Sequence, residues 1–362
     1  MDFGLSEDQL LLEETLRNFL ADRVPIERVR ELRNDDCPNE SSIWRSLAEL
    51  GMTGILVPED RGGSDLNLLD ACLAAQALGY SVTPTPFISS AVIAPIALRG
   101  LDHPEIPAWL GGIASGEIVF GLAITELFSV REDAGVALIG GKLNGKAMMA
   151  SDVCLADFIL VATGADQLAV VRADSPGLKK THLLTTDATR CTSELVLDGV
   201  VAEAVFENVG DTVASMLDAG RIALAADTLG ACEAMIEQAV SYAKERKQFD
   251  RLIGSFQAVK HMCAEMISEL EPARSLVWYA AHSFDALPEE APLMACHALA
   301  HVSEIGQEIA SVSTQVHGGI GWTDEQNLHF WFKRIGVGRG LLGGPGLLRE
   351  RAADLQGLSA TG

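Results

Sequence analysis

A chain of 362 residues is longer than one ordinary core accommodates and suits two or three domains. Its 48% apolar and 21% charged residues are those of a globular protein. A net charge of −23 argues against nucleic acid as a partner and against docking on an anionic membrane surface.

Seven cysteines stand singly at 37, 72, 154, 191, 232, 263 and 296, with no C-x-x-C spacing. Such a scatter reads as reduced thiols, neither disulfides nor a zinc site. No apolar run approaches the ~18–20 residues that span a bilayer. The start, from Met1 to Asp8, lacks a basic or Arg-rich leader, so the expected compartment is the cytoplasm.

Residues 5–83 have helical texture. Ser6, followed by Glu7, Asp8 and Gln9, is a candidate N-cap with acid in the first turn. Leu10, Leu11, Leu12, Leu16, Phe19 and Leu20 then mark an apolar face. A second helix carries Ile43, Trp44, Leu47 and Leu50 and stops at Gly51; residues 57–63 form a loop; Leu68 to Leu78 is helical again and ends at Gly79. From Gly116 the texture becomes that of short strands at 118–124, 158–162, 168–171 and 195–197, with turn signals at Gly140-Gly141 and Asn144-Gly145. From Asp211 the chain is helical nearly to its end. One helix reaches about Lys247, and Ser255 is the expected cap of the next, whose apolar face is Phe256, Val259, Met262, Cys263, Met266 and Ile267.

Four segments carry a resemblance. They are Leu50-Gly51-Met52-Thr53-Gly54-Ile55-Leu56-Val57-Pro58-Glu59 with Gly62-Gly63, Glu245-Arg246-Lys247-Gln248-Phe249, Phe256-Gln257-Ala258-Val259-Lys260-His261, and Gln315-Val316-His317-Gly318-Gly319-Ile320-Gly321. With the opening Asp2-Phe3, and in this order, they make the chain resemble an acyl-CoA dehydrogenase from end to end. The resemblance implies a mainly α fold with a small antiparallel β-domain: an N-terminal helical domain (1–115), a middle β-domain (116–209) and a C-terminal helical bundle (210–362). It also implies FAD, an acyl-CoA thioester substrate, an electron-transfer flavoprotein as a candidate acceptor, and no metal.

Cofactor contacts are expected at Arg246, Gln248, Phe249, Gln257, Gln315, Gly318, Gly319 and Thr125. A guanidinium at Arg246 suits a pyrophosphate oxygen, and the glycines keep no side chain between backbone and ligand. Gln257 and Gln315 offer amide donors and acceptors to ribose or adenine. In the family this surface serves the adenylate half of an FAD held mainly by a neighbouring subunit.

The pattern breaks elsewhere. Where the family has Thr-Glu-Pro followed by Gly-Ser-Asp, this chain keeps Thr125-Glu126 and continues Leu127-Phe128-Ser129-Val130. The family's flavin-packing Trp-Ile-Thr or Trp-Ile-Ser aligns with Met148-Met149-Ala150. Its catalytic glutamate aligns with the segment Leu341-Leu342-Gly343-Gly344-Pro345, and no residue from Ile335 to Arg349 is acidic. The alternative base position is Gly220, before Arg221; Asp218 lies about 200° away round the helix. Thus no catalytic residue is assigned. Asp324, Glu325, Glu126 and Asp133 are the remaining acids to weigh, and His297 with His301 the remaining ligand pair.

Three readings stay open. In the first, the chain is a subunit of a heterotetrameric dehydrogenase of the steroid side-chain type, paired with a paralogous subunit and lending it adenylate contacts. The second is an autonomous enzyme with a non-standard base, and the third a non-catalytic assembly protein. FAD binding without the partner discriminates the first two.

Overall fold

The computed structural model describes residues 4–35, 37, 41–129 and 131–358. Asp2, Phe3 and Val130, which enter the motif comparison above, lie outside the described residues. Helices come first: α1 (Glu7–Arg23), α2 (Ile26–Leu32), α3 (Ser41–Glu49), α4 (Leu68–Tyr80), α5 (Ala94–Arg99) and α6 (Ile106–Ala114). Strands follow: β1 (Phe120–Ala123), β2 (Gly135–Ile139), β3 (Lys142–Ser151), β4 (Phe158–Gly164), β5 (Gln167–Arg172), β6 (Leu178–His182), β7 (Thr192–Val200) and β8 (Ala204–Glu207). The last part holds α7 (Gly210–Glu245), a two-stranded hairpin of β9 (Lys247–Gln248) and β10 (Arg251–Leu252), then α8 (Gln257–Ala286), α9 (Ala291–His317), α10 (His329–Gly338) and α11 (Pro345–Leu355). No helix among the described residues is long and apolar enough to cross a membrane. By packing, the chain divides into two compact units, residues 1–28, 72–83 and 221–362 in one and 29–71 and 84–220 in the other.

In the helical unit, Ser6 caps α1 as its sequence predicts. Its Oγ accepts from Gln9 N–H and Gln9 Oε1 accepts from Ser6 N–H, a reciprocal box that satisfies two orphan donors. The apolar face expected on this helix is narrower than its leucine run: Leu16 and Leu20 are buried, whereas Leu10 and Leu11 are exposed. Gly79 is not a helix stop. A Cβ there would sit 1.9 Å from the Asp227 carbonyl oxygen on α7, and one at Gly230 would sit 1.9 Å from the Gln76 carbonyl oxygen on α4. The two helices therefore cross backbone to backbone, which only residues without a side chain permit. Beside the crossing, Gln76 Nε2 donates to Glu233 and the Tyr80 hydroxyl donates to Glu237. Burial, then that hydrogen bond, pushes the Tyr80 pKa up to about 12, so the phenol keeps its proton.

The end of α4 is sealed from α10. Trp331 Nε1 donates to Tyr80 O at 2.7 Å and Arg334 Nη1 to Thr83 O at 3.3 Å, which occupies backbone carbonyls at and just past a helix end. Arg334 also grips Asp227 on α7 through Nη2 at 2.6 Å and Nε at 3.0 Å, with both side chains almost wholly buried. Ser255 does not cap α8: its hydroxyl donates to Leu252 O, and Phe256 takes the cap position without a side-chain bond. Of the apolar face expected on α8, Met266 is buried, Ile267 is exposed and the other members are half-covered.

The other unit is built on an eight-stranded sheet of order β6-β7-β3-β1-β4-β5-β8, with β2 on β3. The pairings are antiparallel except β1 with β4, which runs parallel because the β2–β3 hairpin intervenes between them in the chain. Gly140-Gly141 closes that hairpin as predicted, both glycines at positive φ. Asn144-Gly145 does not turn; it lies inside β3 at a register shift, where Asn144 Oδ1 accepts from Gly199 N–H. The buried face of the sheet collects Leu143, Ala147, Ala150, Ile159, Val161, Val171, Leu195 and Leu197.

The cysteines depart from expectation too. Cys37 and Cys154 form a disulfide across 117 residues of chain. Cys191, a buried thiol that burial pushes up to about 12, lies beside them. Spacing could not show this convergence, because the three come from a helix–helix link, a strand turn and a strand start.

Candidate functional site

Seven of the eight expected cofactor residues gather at one end of the helical unit. The α7 and α9 helices run in the same direction: Ser313 Oγ donates to Met235 O, and further along the His317 ring stacks on Tyr242 at 4.7 Å. Arg246 lies one turn beyond Tyr242, and Gln315, Gly318 and Gly319 flank His317. The hairpin that follows Arg246 leads straight into α8, so Gln257 belongs to the same end.

Local chemistry shapes this end. Gln248 pairs with Arg251, and the two residues between them, Phe249 and Asp250, both take positive φ to make the tight turn. Arg251 stacks over the Phe256 ring at 3.9 Å and Phe249 meets the same ring edge-on, which pins the hairpin to the start of α8. Ile253 N–H donates to Arg246 O at 2.8 Å, closing the loop's base. His317 Nδ1 bonds the Ser313 carbonyl at 2.8 Å, and burial pushes its pKa down, which keeps the imidazole neutral. That tautomer leaves Nε2 as an enclosed acceptor without a partner.

The expected contacts are presented outward. Arg246, Gln248, Gln257 and Gln315 are exposed, and Phe249 is 87% exposed. Gln257 Nε2 meets His261 Nε2 at 3.2 Å, which holds its amide in place. A Cβ at Gly318 or Gly319 would meet nothing within 4 Å. At Gly79 and Gly230 the fold itself demands glycine; at Gly319 the protein's own packing does not. Bare backbone facing open space, beside one guanidinium and two carboxamides, fits the phosphate–ribose part of a dinucleotide.

Thr125, the eighth residue, belongs to the sheet unit. It is buried, and its hydroxyl donates to Met149 O at 3.3 Å. Next to it, Glu126 Oε1 accepts from Met148 N–H at 2.9 Å. Met149 takes positive φ within a bulge between Ala147 and Ala150, so this carboxylate braces irregular backbone. Glu126 is therefore a structural acid of the bulge; its second oxygen is enclosed without a partner. Ala150 is fully buried and has no hydroxyl to offer.

Neither base position holds an acid. Arg221, the residue after Gly220, is buried and donates Nε–H to Leu342 O at 3.1 Å, within the segment that carries the other position. Leu342 and Gly343 take positive φ there. Asp218 is buried, Asp133 is exposed at positive φ before β2, and Asp324 pairs with His329 at 3.0 Å. His297 and His301 are half-buried on α9 and belong to no group of three close metal-ligating side chains among the described residues. A cleft of ≈ 550 Å³ lined by Ser41, Trp44, Arg45, Glu117 and Asp157, among others, contains none of the expected site residues.

A model of the acyl-CoA dehydrogenase N-terminal domain matches residues 6–137, and one of the acyl-CoA dehydrogenase C-terminal domain matches residues 210–354. The chain belongs to the acyl-CoA dehydrogenase family. Membership carries CH–CH oxidoreductase chemistry as the family activity. Among its relatives, acyl-CoA dehydrogenase IpdE2 of Mycobacterium tuberculosis is 29% identical over 94% of each chain. The ChsE4-ChsE5 complex from Mycobacterium tuberculosis has a chain that superposes with a TM-score of 0.89 at 27% identity, over 99% of this chain and 100% of that one. A variant of the Tcur3481-Tcur3483 steroid ACAD superposes at 0.88 with 28% identity, covering 98% and 99% of the two chains.

Sequence reasoning named residues that the structure gathers at one exposed end and missed those that hold them there. Tyr242 under His317 leaves no motif. Asp227 did leave a signal: a lone carboxylate in the apolar stretch Leu224-Ala225-Ala226-Asp227-Thr228-Leu229 must find a partner when buried.

Proposed function

We propose that this chain is a subunit of an FAD-dependent, heterotetrameric acyl-CoA dehydrogenase acting on a CoA thioester of the steroid side-chain type, and that it lends adenylate contacts to a paralogous subunit. One asymmetry carries the reading. The outward-facing residues at the end of α7 and α9 keep the family pattern, while both base positions and the Met148-Met149-Ala150 bulge have lost it. Two solved relatives are themselves two-component assemblies by name, and one of them is a steroid enzyme. The three-part division at 115/116 and 209/210, a cytoplasmic location and an electron-transfer flavoprotein acceptor belong to the same reading.

In this reading Arg246 takes a pyrophosphate oxygen, Gly318 and Gly319 let the phosphates approach the backbone, and Gln257 and Gln315 bond ribose or adenine. Gln248 and Phe249 form the hairpin wall, and Thr125 orders the Met149 bulge from its own unit. A bound FAD would supply the hydride acceptor for the substrate β-carbon. Removal of the α-proton needs a carboxylate within hydrogen-bond reach, and it comes from the partner subunit.

The test is FAD content after gentle desalting. The chain alone should carry essentially none and the co-purified paralogous pair should retain it stoichiometrically. A full complement on the isolated chain would support an autonomous enzyme with an unconventional base instead. Within the assembled complex, Arg246→Ala should weaken FAD binding by about 1.5–3 kcal/mol, roughly 10- to 150-fold. Unchanged retention would remove Arg246 from the clamp.

A further inference from the structure

The Cys37–Cys154 disulfide joins two walls of one cleft. Cys37 stands four residues before Ser41, where α3 begins, and Cys154 stands beside Leu155 on the turn between β3 and β4. The ≈ 550 Å³ cleft lies between them: Trp44, Arg45 and Ala48 of α3 line one side, Leu155 and Asp157 the other, and Gly116 lines it from the link between α6 and β1. Its volume is that of a small-molecule site. The walls are held unequally. Asp157 bonds the turn to the α6–β1 link twice, accepting from Val119 N–H through Oδ2 at 2.9 Å and donating its own N–H to Val119 O at 2.9 Å. Gly116, at positive φ, packs on the last turn of α3: a Cβ there would sit 2.6 Å from Ala48 Cβ. The disulfide fastens the other end, ahead of the first turn. So α3 is pivoted where it ends and pinned covalently where it begins.

The closed state leaves a polar group unsatisfied. Trp44 is 2% exposed, and its Nε1–H has no hydrogen-bond partner. A buried donor without an acceptor costs free energy that water relieves once it enters. Closure therefore needs a holding contact, and the disulfide supplies one. Both of its cysteines are half-exposed, which leaves the bond open to a thiol reagent. Cys191 does not compete for it. The three Sγ atoms lie within 4.8 Å of one another. Yet burial, then the charge of Asp152, pushes the Cys191 pKa up to about 12, and its sulfur bonds the Cys154 backbone and Ser193. A thiol that keeps its proton does not attack a disulfide at neutral pH. The pair is thus a two-state couple.

We propose that the Cys37–Cys154 disulfide is a reversible redox clasp on this cleft. Oxidised, it pins the start of α3 to the β3–β4 turn; reduced, it releases α3 and opens the cleft to solvent at Trp44. The step balances. A dithiol protein of the thioredoxin kind attacks one sulfur, passes through a mixed disulfide and ends as a disulfide itself. Cys37 and Cys154 take up the two electrons and two protons as a pair of thiols. A disulfide oxidant such as oxidised glutathione reverses the exchange. The clasp lies apart from the flavin reading and stands or falls separately.

The experiment uses the full chain without denaturant. A reduced dithiol protein should open one disulfide per chain, and oxidised glutathione should restore it. Two-step isotopic alkylation with peptide mass should place the bond at Cys37–Cys154 and leave Cys191 unpaired in both states, with the same circular dichroism. Acrylamide quenching then reads the cleft. The Trp44 contribution, taken as the difference between the chain and its Trp44→Phe variant, should rise about twofold or more on reduction. That variant removes no hydrogen bond, because Nε1 makes none. Cys37→Ala should hold the open state under oxidant, and Cys191→Ser should keep both the couple and the quenching change. A bond that yields only in denaturant, a reduced chain that unfolds, or equal Trp44 quenching in the two states would each overturn the clasp. Peptides linking Cys154 to Cys191 would overturn its two-state character.

Discussion

Replacing Asp227 by alanine should lower the stability of the helical unit by about 3–5 kcal/mol, the cost of leaving one partner of a buried ion pair uncompensated. The magnitude follows from burial. Arg334 and Asp227 are 4% and 3% exposed, and the guanidinium would lose the carboxylate it grips while keeping its bond to the Thr83 carbonyl. Most domains are stable by about 5–15 kcal/mol, so the loss is a large share of the total. Asp227→Asn keeps the shape and one acceptor and should lie between the two. Pairing Asp227→Leu with Arg334→Met should recover much of the loss, because removing both charges also removes their desolvation cost. Denaturant titration followed by tryptophan fluorescence reads this directly, since Trp331 sits one turn from Arg334 on α10. A loss for Asp227→Ala below about 1 kcal/mol, the level of an exposed pair, would show that water reaches the site.

The second large effect runs against helix propensity. Gly79 and Gly230 lie inside helices, where alanine is ordinarily better by about 1 kcal/mol. At these two positions alanine should instead destabilise by about 1–3 kcal/mol, because the added Cβ meets backbone that cannot give way without moving a helix. The two substitutions should also couple. Either one forces α4 and α7 apart, so the double variant should cost less than the sum. Gly319→Ala is the matched control, since its Cβ would meet nothing within 4 Å. It should leave stability unchanged and, on the proposed function, reduce FAD retention in the assembled complex. A stabilising Gly79→Ala would mean that the helices do not cross this closely.

The two glycine pairs show what a sequence can disclose. Both read as punctuation in a one-dimensional pattern. Gly318 and Gly319 belong to a motif, and on the proposed function their residue types answer to a ligand, whose chemistry is the same wherever it binds. Gly79 answers to a carbonyl on a helix about 150 residues away in the chain, and no local rule marks it. Leu10 and Leu11 illustrate the reverse error. Periodicity placed them on an apolar face, but a helix face is covered only where a neighbour packs on it, and here the cover buries Leu16 and Leu20, half-covers Leu12 and Phe19 and stops short of Leu10 and Leu11. Ser6 and Ser255 separate on similar grounds. The first has a partner at the matching N3 position, while the second spends its hydroxyl on Leu252 before the helix begins.

By itself the sequence determined the helix–strand–helix order, through apolar periods that switch from about 3.6 to 2 and back. It also determined the family, through four segments in register along the chain, and the absence of an acid at Gly220 and from Ile335 to Arg349, which needs no coordinates. Only the tertiary structure decided the Asp227–Arg334 pair, the Gly79–Gly230 crossing, the Glu126 brace under the Met149 bulge and the meeting of Cys37, Cys154 and Cys191. The physical reason is range: partners 107 and 117 residues apart are chosen by packing, and packing free energy depends on neighbours that a linear pattern does not contain.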